Sequence, residues 1–427
     1  MNKFALILMS AVLLPLSAVA EISLDYCLER AEDNYPLIKK YGLLEKTSEL
    51  NLSDINKSWL PRIGVYGQLT AQNVVPEFPE TLKNVLAQMG QESRGLGYVQ
   101  YKAGVDVSQN VWDGGASKAQ RAVERASSAE SRAALAVQIY AVREKVMNLY
   151  FGILLMDEQI VQTENTISLL RANHTRMESM VKDGVAMQSD ADMIEAQMLS
   201  MTQQLVNARS AVKSYREVLS IYTGENLENE NLEKPQAAMP SDLQSNRPEL
   251  GLFDAQIRLN AIRRKVIDSS LMPRVGLFAQ AYYGYPGFNY FESMINRKLS
   301  FNVLAGVKIS WNIDSFYTKK NSLNKLGLAT EGVENDREVF LFNTGLQTCS
   351  QTEAIKGLRE AMEYDEKIVA LRGNVRKAAE SQLKNGVIDA TALLSKITDE
   401  NQALLTAAYH EIQLIQNIYK LKNTLNR

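Results

Sequence analysis

The amino-acid sequence predicts an α+β protein of two tandem structural repeats, in which a very long helical hairpin follows a pair of β-strands. Three observations predict this class. A polar segment from Gly224 to Pro248 contains three prolines and divides the chain. The same order of elements stands on each side of that segment. Both long helices end in matching Lys-x-Gly-Val sequences, at 182–185 and 384–387, and a glycine just past a helix end is the usual left-handed cap.

The boundaries follow from these signals and from two prolines, Pro61 and Pro273, which end the shorter helices. The first repeat is predicted over 21–223, and a linker over 224–246 separates it from the second repeat, 247–427. The elements predicted in chain order are a helix over 22–59, strands 62–74 and 98–112, a helical hairpin 116–223, a helix over 248–271, strands 274–285 and 300–313, and a helical hairpin 317–424.

Residues 1–20 have the pattern of a secretory signal peptide. Lys3 precedes an apolar run, Phe4–Leu14, and the small residues Ala18 and Ala20 follow. The run is shorter than a membrane span, which disfavours a retained anchor. The mature chain is therefore predicted to begin at Glu21 and to leave the cytoplasm.

The four strands alternate apolar and polar residues over about a dozen positions each. In strand 98–112, for example, Val105 and Val107 oppose Asp106 and Ser108. Such alternation fits a soluble sandwich as well as a membrane barrel. The strand length suits a tilted membrane crossing. Aromatic residues also gather at the strand ends, as at membrane interfaces: Trp59, Trp112 and Trp311 at one end, and Tyr98, Tyr282, Tyr283, Tyr285 and Tyr290 at the other.

Four strands are too few to close a barrel with an open lumen. An open sheet edge cannot face lipid, because its N–H and C=O groups would have no partner there. If these strands cross a membrane, other copies of the chain must complete the barrel. The strands therefore predict an obligate oligomer.

The helices predicted over 116–182 and 317–384 would each be roughly 100 Å long. Apolar seams at coiled-coil spacing continue in the helices that follow, for example at Ile194, Met201 and Ala208. A structural or adaptor coiled coil would explain these helices but leaves the four strands unexplained.

Composition argues against several function classes. The net charge of −2 gives no field for nucleic acid. The two cysteines, Cys27 and Cys349, are expected to be unpaired thiols. The only histidines, His174 and His410, are expected at the surface, and they suggest neither a metal site nor a catalytic triad. We therefore predict no enzyme activity and no cofactor.

Over essentially the whole mature chain, the order of several short motifs resembles the TolC-like outer membrane efflux protein family. The motifs are Leu24-x-x-Cys27-Leu28-x-x-Ala31, Asn34-Tyr35-Pro36, Val111-Trp112-Asp113-Gly114-Gly115, Arg247-Pro248-Glu249-Leu250 and Trp311-Asn312-Ile313-Asp314. The resemblance implies a homotrimer with a twelve-stranded β-barrel in outer-membrane lipid and a helical tunnel, or α-barrel, in the periplasm. It implies an exit duct for an inner-membrane pump, of the RND or ABC type, that docks through a periplasmic adaptor. Small-molecule efflux and type I secretion both stay open.

The resemblance also implies functional positions. The periplasmic tips that meet the adaptor would be Gly184-Val185 and Gly386-Val387. Asp190, with Asp192 nearby, would narrow the tunnel mouth, although Asp190 also suits a plain helix-start acid. The second repeat departs from the family pattern, with Ala392 and Ser395 at the acidic positions and Asp389 as the acid near its tip. Leu383 and Ile388 replace the Tyr and Arg that lock the closed mouth.

Overall fold

The computed structural model describes residues 21–92 and 95–427 and is mostly helical, at 69%. The predicted signal peptide, 1–20, lies outside the described residues. The helices are α1 (Leu24–Asn34), α2 (Lys39–Lys57), α3 (Glu80–Gln88), α4 (Ala116–Lys182), α5 (Gln188–Thr223), α6 (Pro248–Ser270), α7 (Tyr290–Asn296), α8 (Ser315–Lys384) and α9 (Ala390–Leu425). The strands are β1 (Arg62–Ala71), β2 (Val99–Trp112), β3 (Arg274–Tyr285) and β4 (Ser300–Ser310).

The four strands form one antiparallel sheet in the order β1-β2-β3-β4. Its central pairing, β2 with β3, joins the two halves of the sequence, and Val105 stands opposite both Val65 and Ala281. A bulge lies between Asn110 and Trp112 of β2. β1 and β4 are the edges of this sheet.

The described residues form two compact units, each with segments from both halves of the sequence. One unit comprises Tyr41–Ala133 and Gly251–Arg337 and contains the sheet. In it, the β1–β2 and β3–β4 connections share a small apolar core, built from Val75, Phe78, Leu96, Tyr285 and Met294. The side chain of Arg297 donates to the carbonyl of Gly95 across these connections, at 3.1 Å.

The other unit comprises, of the described residues, 21–40, Ala134–Leu250 and Glu338–Arg427. Its main core packs α1 against α4 and α5, with Cys27, Tyr150 and Phe151 fully buried. The hydroxyl of Tyr150 lies 2.7 Å from the carbonyl oxygen of Ile22 and 2.6 Å from that of Glu233. Tyr150 therefore ties Ile22 and Glu233 to α4.

Several predicted boundaries were wrong. The helix expected over 22–59 is interrupted at Pro36, which begins a 3-10 turn (Pro36–Ile38) between α1 and α2. Proline lacks the N–H that a continuous helix needs there. The strands predicted over 62–74 and 300–313 end earlier, at Ala71 and Ser310. α3 and α7, in the two strand connections, were not predicted. The division into two repeats stays a prediction.

Candidate functional site

The two hairpin turns have the same hydrogen-bonded geometry. In the first, Gly184 N–H donates to the carbonyl of Val181 at 3.0 Å and Val185 N–H to that of Met180 at 2.8 Å. In the second, Gly386 and Val387 donate to Leu383 and Gln382, at 3.0 and 2.9 Å. This is the Schellman arrangement, which pairs the last helical carbonyls. It needs a left-handed residue, and φ is 73° at Gly184 and 70° at Gly386.

The residues of both turns are exposed, with open space around the two glycines. A Cβ added to either glycine would have no atom within 4 Å. Val185 and Val387 are each 69% exposed. The role of these four residues as docking tips stays a prediction.

A shared apolar core lies behind the turns and holds the two hairpins together. It includes Met177 of α4, Ile194 of α5, Leu383 of α8 and Leu393 of α9, with Ile388 partly buried against it. Leu383 is buried in this core and Ile388 packs against it, so both residues serve packing in this chain.

The predicted mouth acids have local hydrogen-bond partners at helix starts. Asp190 accepts from the N–H of Met187 at 3.1 Å, and Asp389 accepts from the N–H of Ala392 at 2.8 Å. Asp192 accepts from the side chain of Gln188 at 2.8 Å. The first two contacts are helix caps, so the helix-start interpretation of Asp190 applies. Asp192 and Asp389 are exposed, and the role of the three acids at a tunnel mouth stays a prediction.

An ion cluster between α8 and α9 was missed by sequence reasoning. Arg376 contacts Glu380 at 3.0 Å and Glu400 at 2.6 Å, and all three side chains are mostly buried. The hydrogen bond to Glu400 raises the pKa of Arg376, against the opposing effect of burial. The four-residue spacing of Arg376 and Glu380 is a readable signal. The contact with Glu400 depends on how the two helices pack, which the sequence does not state.

One face of the sheet is apolar and exposed. Val65 is 82% exposed, and Phe301, Val307 and Ile309 are exposed to a similar degree. Val105 lies on the same face, as its pairing with Val65 requires. The aromatic residues predicted at the strand ends away from the long helices are only partly exposed. Tyr98, Tyr283 and Tyr290 are exposed, whereas Tyr282 and Tyr285 are buried within their unit.

The opposite face of the sheet is polar. Gln280 donates to the carboxylate of Asp106 at 2.8 Å and to the hydroxyl of Tyr66 at 2.9 Å. The ammonium of Lys102 lies 5.9 Å from the ring centroid of Tyr66 and 5.4 Å from that of Tyr282. Asp106 lies on this face, as its alternation with Val105 predicted, and Lys308 lies on the same face. Sequence reasoning missed Arg62 and Arg274, which stand at the first positions of their strands.

The thiols and imidazoles offer little chemistry. Both cysteines are free, as expected, and burial raises the pKa of Cys27 to about 12. A pKa this high leaves the Cys27 thiol protonated and unreactive near neutral pH. The surface prediction for His410 was wrong, because its Nδ1 lies 2.8 Å from Asp365 and both side chains are mostly buried. Among the described residues, no group of histidine, cysteine and carboxylate side chains could hold a metal ion.

No helix within the described ranges is both long enough and apolar enough to span a bilayer.

This fold is that of outer-membrane channels. Solved structures of similar fold include the outer-membrane channel OprN, with a TM-score of 0.66 and 14% identity, covering 94% of this chain and 89% of that one. The CmeC outer membrane channel of Campylobacter jejuni has a TM-score of 0.66 and 13% identity, covering 94% and 85%. VceC, an outer membrane protein of Vibrio cholerae, has a TM-score of 0.65 and 12% identity, covering 94% and 94%. No curated protein matches the chain at the level of sequence.

Residues 48–225 match the sequence model of the family described as outer membrane efflux protein. This match, which covers less than half of the chain, agrees with the predicted resemblance to that family. The family match and the fold support the predicted role of exit duct in an efflux system. The family and the similar structures are channels, not enzymes.

Proposed function

We propose that this chain assembles as a homotrimer in the outer membrane. Its sheet then forms one third of a twelve-stranded β-barrel, and its long helices line a tunnel in the periplasm. The duct receives substrates from an inner-membrane pump through a periplasmic adaptor and releases them outside the cell. The chain itself carries out no chemical step in this scheme.

The sheet is the observation that carries the proposal. Its apolar face is exposed over an unusually large area for a surface in water. Apolar patches of this size on proteins mark contacts with other proteins or with lipid. Its edges, β1 and β4, have no further strand beside them among the described residues. Lipid would cover the apolar face, and the edge strands of neighbouring copies would satisfy the open edges. A single chain in water can neither cover its apolar face nor pair its two edge strands.

The hairpin turns support the contact with an adaptor. The two tips share their backbone geometry and expose a valine at the same place, so a partner built of similar helical hairpins could engage both in the same way. The adaptor and the class of pump are taken from the family resemblance. Small-molecule efflux and type I secretion both agree with these features.

The alternative of a periplasmic adaptor or structural coiled coil has less support. It uses the helices but gives the exposed apolar face of the sheet no partner. We therefore favour the channel.

Membrane fractionation, followed by mass measurement of the detergent-purified protein, tests location and assembly. We expect the protein in the outer-membrane fraction at three times the mass of the mature chain. A soluble periplasmic monomer would contradict the proposal. Reconstitution into planar bilayers should then give discrete conductance steps.

A further inference from the structure

The charged residues of the four strands all lie on the polar face of the sheet. They are Arg62, Lys102, Asp106, Arg274 and Lys308. The strand registers place these residues on one side, and the apolar side of the described strands has no charged residue. Four of the five are basic, which gives the face a net charge of +3 per chain.

Three of the basic residues lie at the same end of the sheet, at the strand ends next to the helices. Arg274 stands opposite Ser310, and Lys308 opposite Gly276 two residues further along β3. Arg62 pairs with Ser108, which in turn pairs with Phe278, the next position on that face of β3. We call Arg62, Arg274 and Lys308 the basic collar. All three side chains are exposed, and none forms an ion pair with another described residue.

Lys102 stands further along the same face and is held by aromatic rings. Its side chain lies against Gly284, where an added Cβ would come within 2.5 Å of the Cβ of Lys102. Tyr66 and Tyr282 flank its ammonium, in an arrangement that stabilises a cation without neutralising it. The one acid of the face, Asp106, is engaged by Gln280 instead of a lysine.

Two aspartates, Asp113 and Asp314, follow β2 and β4 at the collar end. Asp113 accepts hydrogen bonds from Ser117 and Gly115 at the start of α4. Burial alone would raise its pKa, but these bonds hold the pKa below its ordinary value. Asp113 is thus a charged cap of its own helix, and neither aspartate pairs with a collar residue among the described ion pairs.

We propose that the basic collar is the selectivity element of the sheet part of the channel and favours anions over cations. This inference rests on the proposed function, in which the polar face lines the lumen. A ring of unpaired Lys and Arg side chains lowers the energy of an anion in a pore and raises that of a cation. The collar would therefore select permeants of negative charge, organic anions among them.

Reversal potentials in planar bilayers under a KCl gradient test the collar. The triple variant Arg62→Gln, Arg274→Gln and Lys308→Gln removes three charges per chain and keeps long polar side chains. We expect its ratio of chloride to potassium permeability to fall by about tenfold relative to the unaltered protein. Lys102→Gln should lower the ratio less, since it removes one charge.

Asp106→Asn is the matched control on the same face. It removes a negative charge and keeps an oxygen for Gln280, so the ratio should rise. Oligomer mass in detergent confirms that each variant assembles. If the assembled triple variant conducts with an unaltered ratio, the collar proposal is overturned and the channel remains. If the unaltered protein forms no conducting pore, the proposed function itself fails.

Discussion

Nε of Arg376 on α8 lies 2.6 Å from Oε2 of Glu400 on α9. The two side chains are only 15% and 14% exposed, so this ion pair is largely shielded from solvent. It joins the outgoing and returning helices of the second hairpin. A charge left there without its partner is costly, because it has lost water and gained nothing in return.

Removing one partner of this pair should destabilise the protein strongly. We expect Arg376→Ala to lower the free energy of unfolding by about 3 kcal/mol, since Glu380 and Glu400 would then face each other. Thermal unfolding followed by circular dichroism in detergent measures the effect. Arg372→Ala is the control, because its pair with Asp399 has the more exposed side chains, at 47% and 35%. Its cost should stay below about 1 kcal/mol, and equal costs would contradict the argument.

The tips should tolerate a small side chain that accepts the left-handed backbone better than a bulky one. Asn adopts the left-handed conformation at low cost, so Gly184→Asn and Gly386→Asn should preserve export. Gly184→Trp with Gly386→Trp should leave the protein in the outer membrane but impair export, because bulky side chains would stand where the adaptor docks. Cellular retention of a fluorescent efflux substrate reports export.

Gly90 offers a matched control for the tips. It follows α3, has φ of 77° and has no atom within 4 Å of an added Cβ, as at the tips. Gly90→Trp therefore has the same backbone strain at a different place and should export normally. If Gly90→Trp also loses export, the defect of the tip variants would be one of folding and not of docking.

The two faces of β2 should respond differently to a positive charge. Val105→Arg places a guanidinium on the apolar face and should cost about 2–4 kcal/mol per chain near the bilayer midplane. Asp106→Arg places it on the polar face, where water is expected. The yield of assembled protein in outer-membrane fractions should fall in the first variant far more than in the second. Similar yields would mean that the apolar face does not contact lipid.

The mouth acids should favour cations, opposite to the basic collar. Asp190→Asn with Asp192→Asn removes about six carboxylates from a trimer and should lower potassium preference in single-channel recordings. Assembly should be unaffected, because the amide introduced in place of the Asp190 carboxylate keeps an oxygen for the N–H of Met187. An unaltered preference would mean that the two acids only stabilise the start of α5. Asp389 would then be the next residue to test.

Local signals predicted most of the fold. The glycine caps gave both hairpin turns, and strand alternation gave the two faces, including the opposite placement of Val105 and Asp106. Packing between distant segments was beyond that reasoning. The partnership of Arg376 with Glu400, the burial of Tyr285 in the strand connections and the pairing of His410 with Asp365 all depend on which helices and loops meet. The proposed tunnel mouth is hardest to predict, since in the proposed trimer its width would depend on how the copies are arranged.

The pairing of β2 with β3 bears on how the chain reaches this structure. Those strands are neighbours in space, yet the entire first hairpin and the linker separate them along the sequence. Contacts between such distant segments slow folding, because a long loop must close before they can form. The middle of the sheet can therefore be completed only after synthesis has passed β3. Until then, β2 is a nascent edge strand with apolar side chains, and the emerging polypeptide needs protection from aggregation.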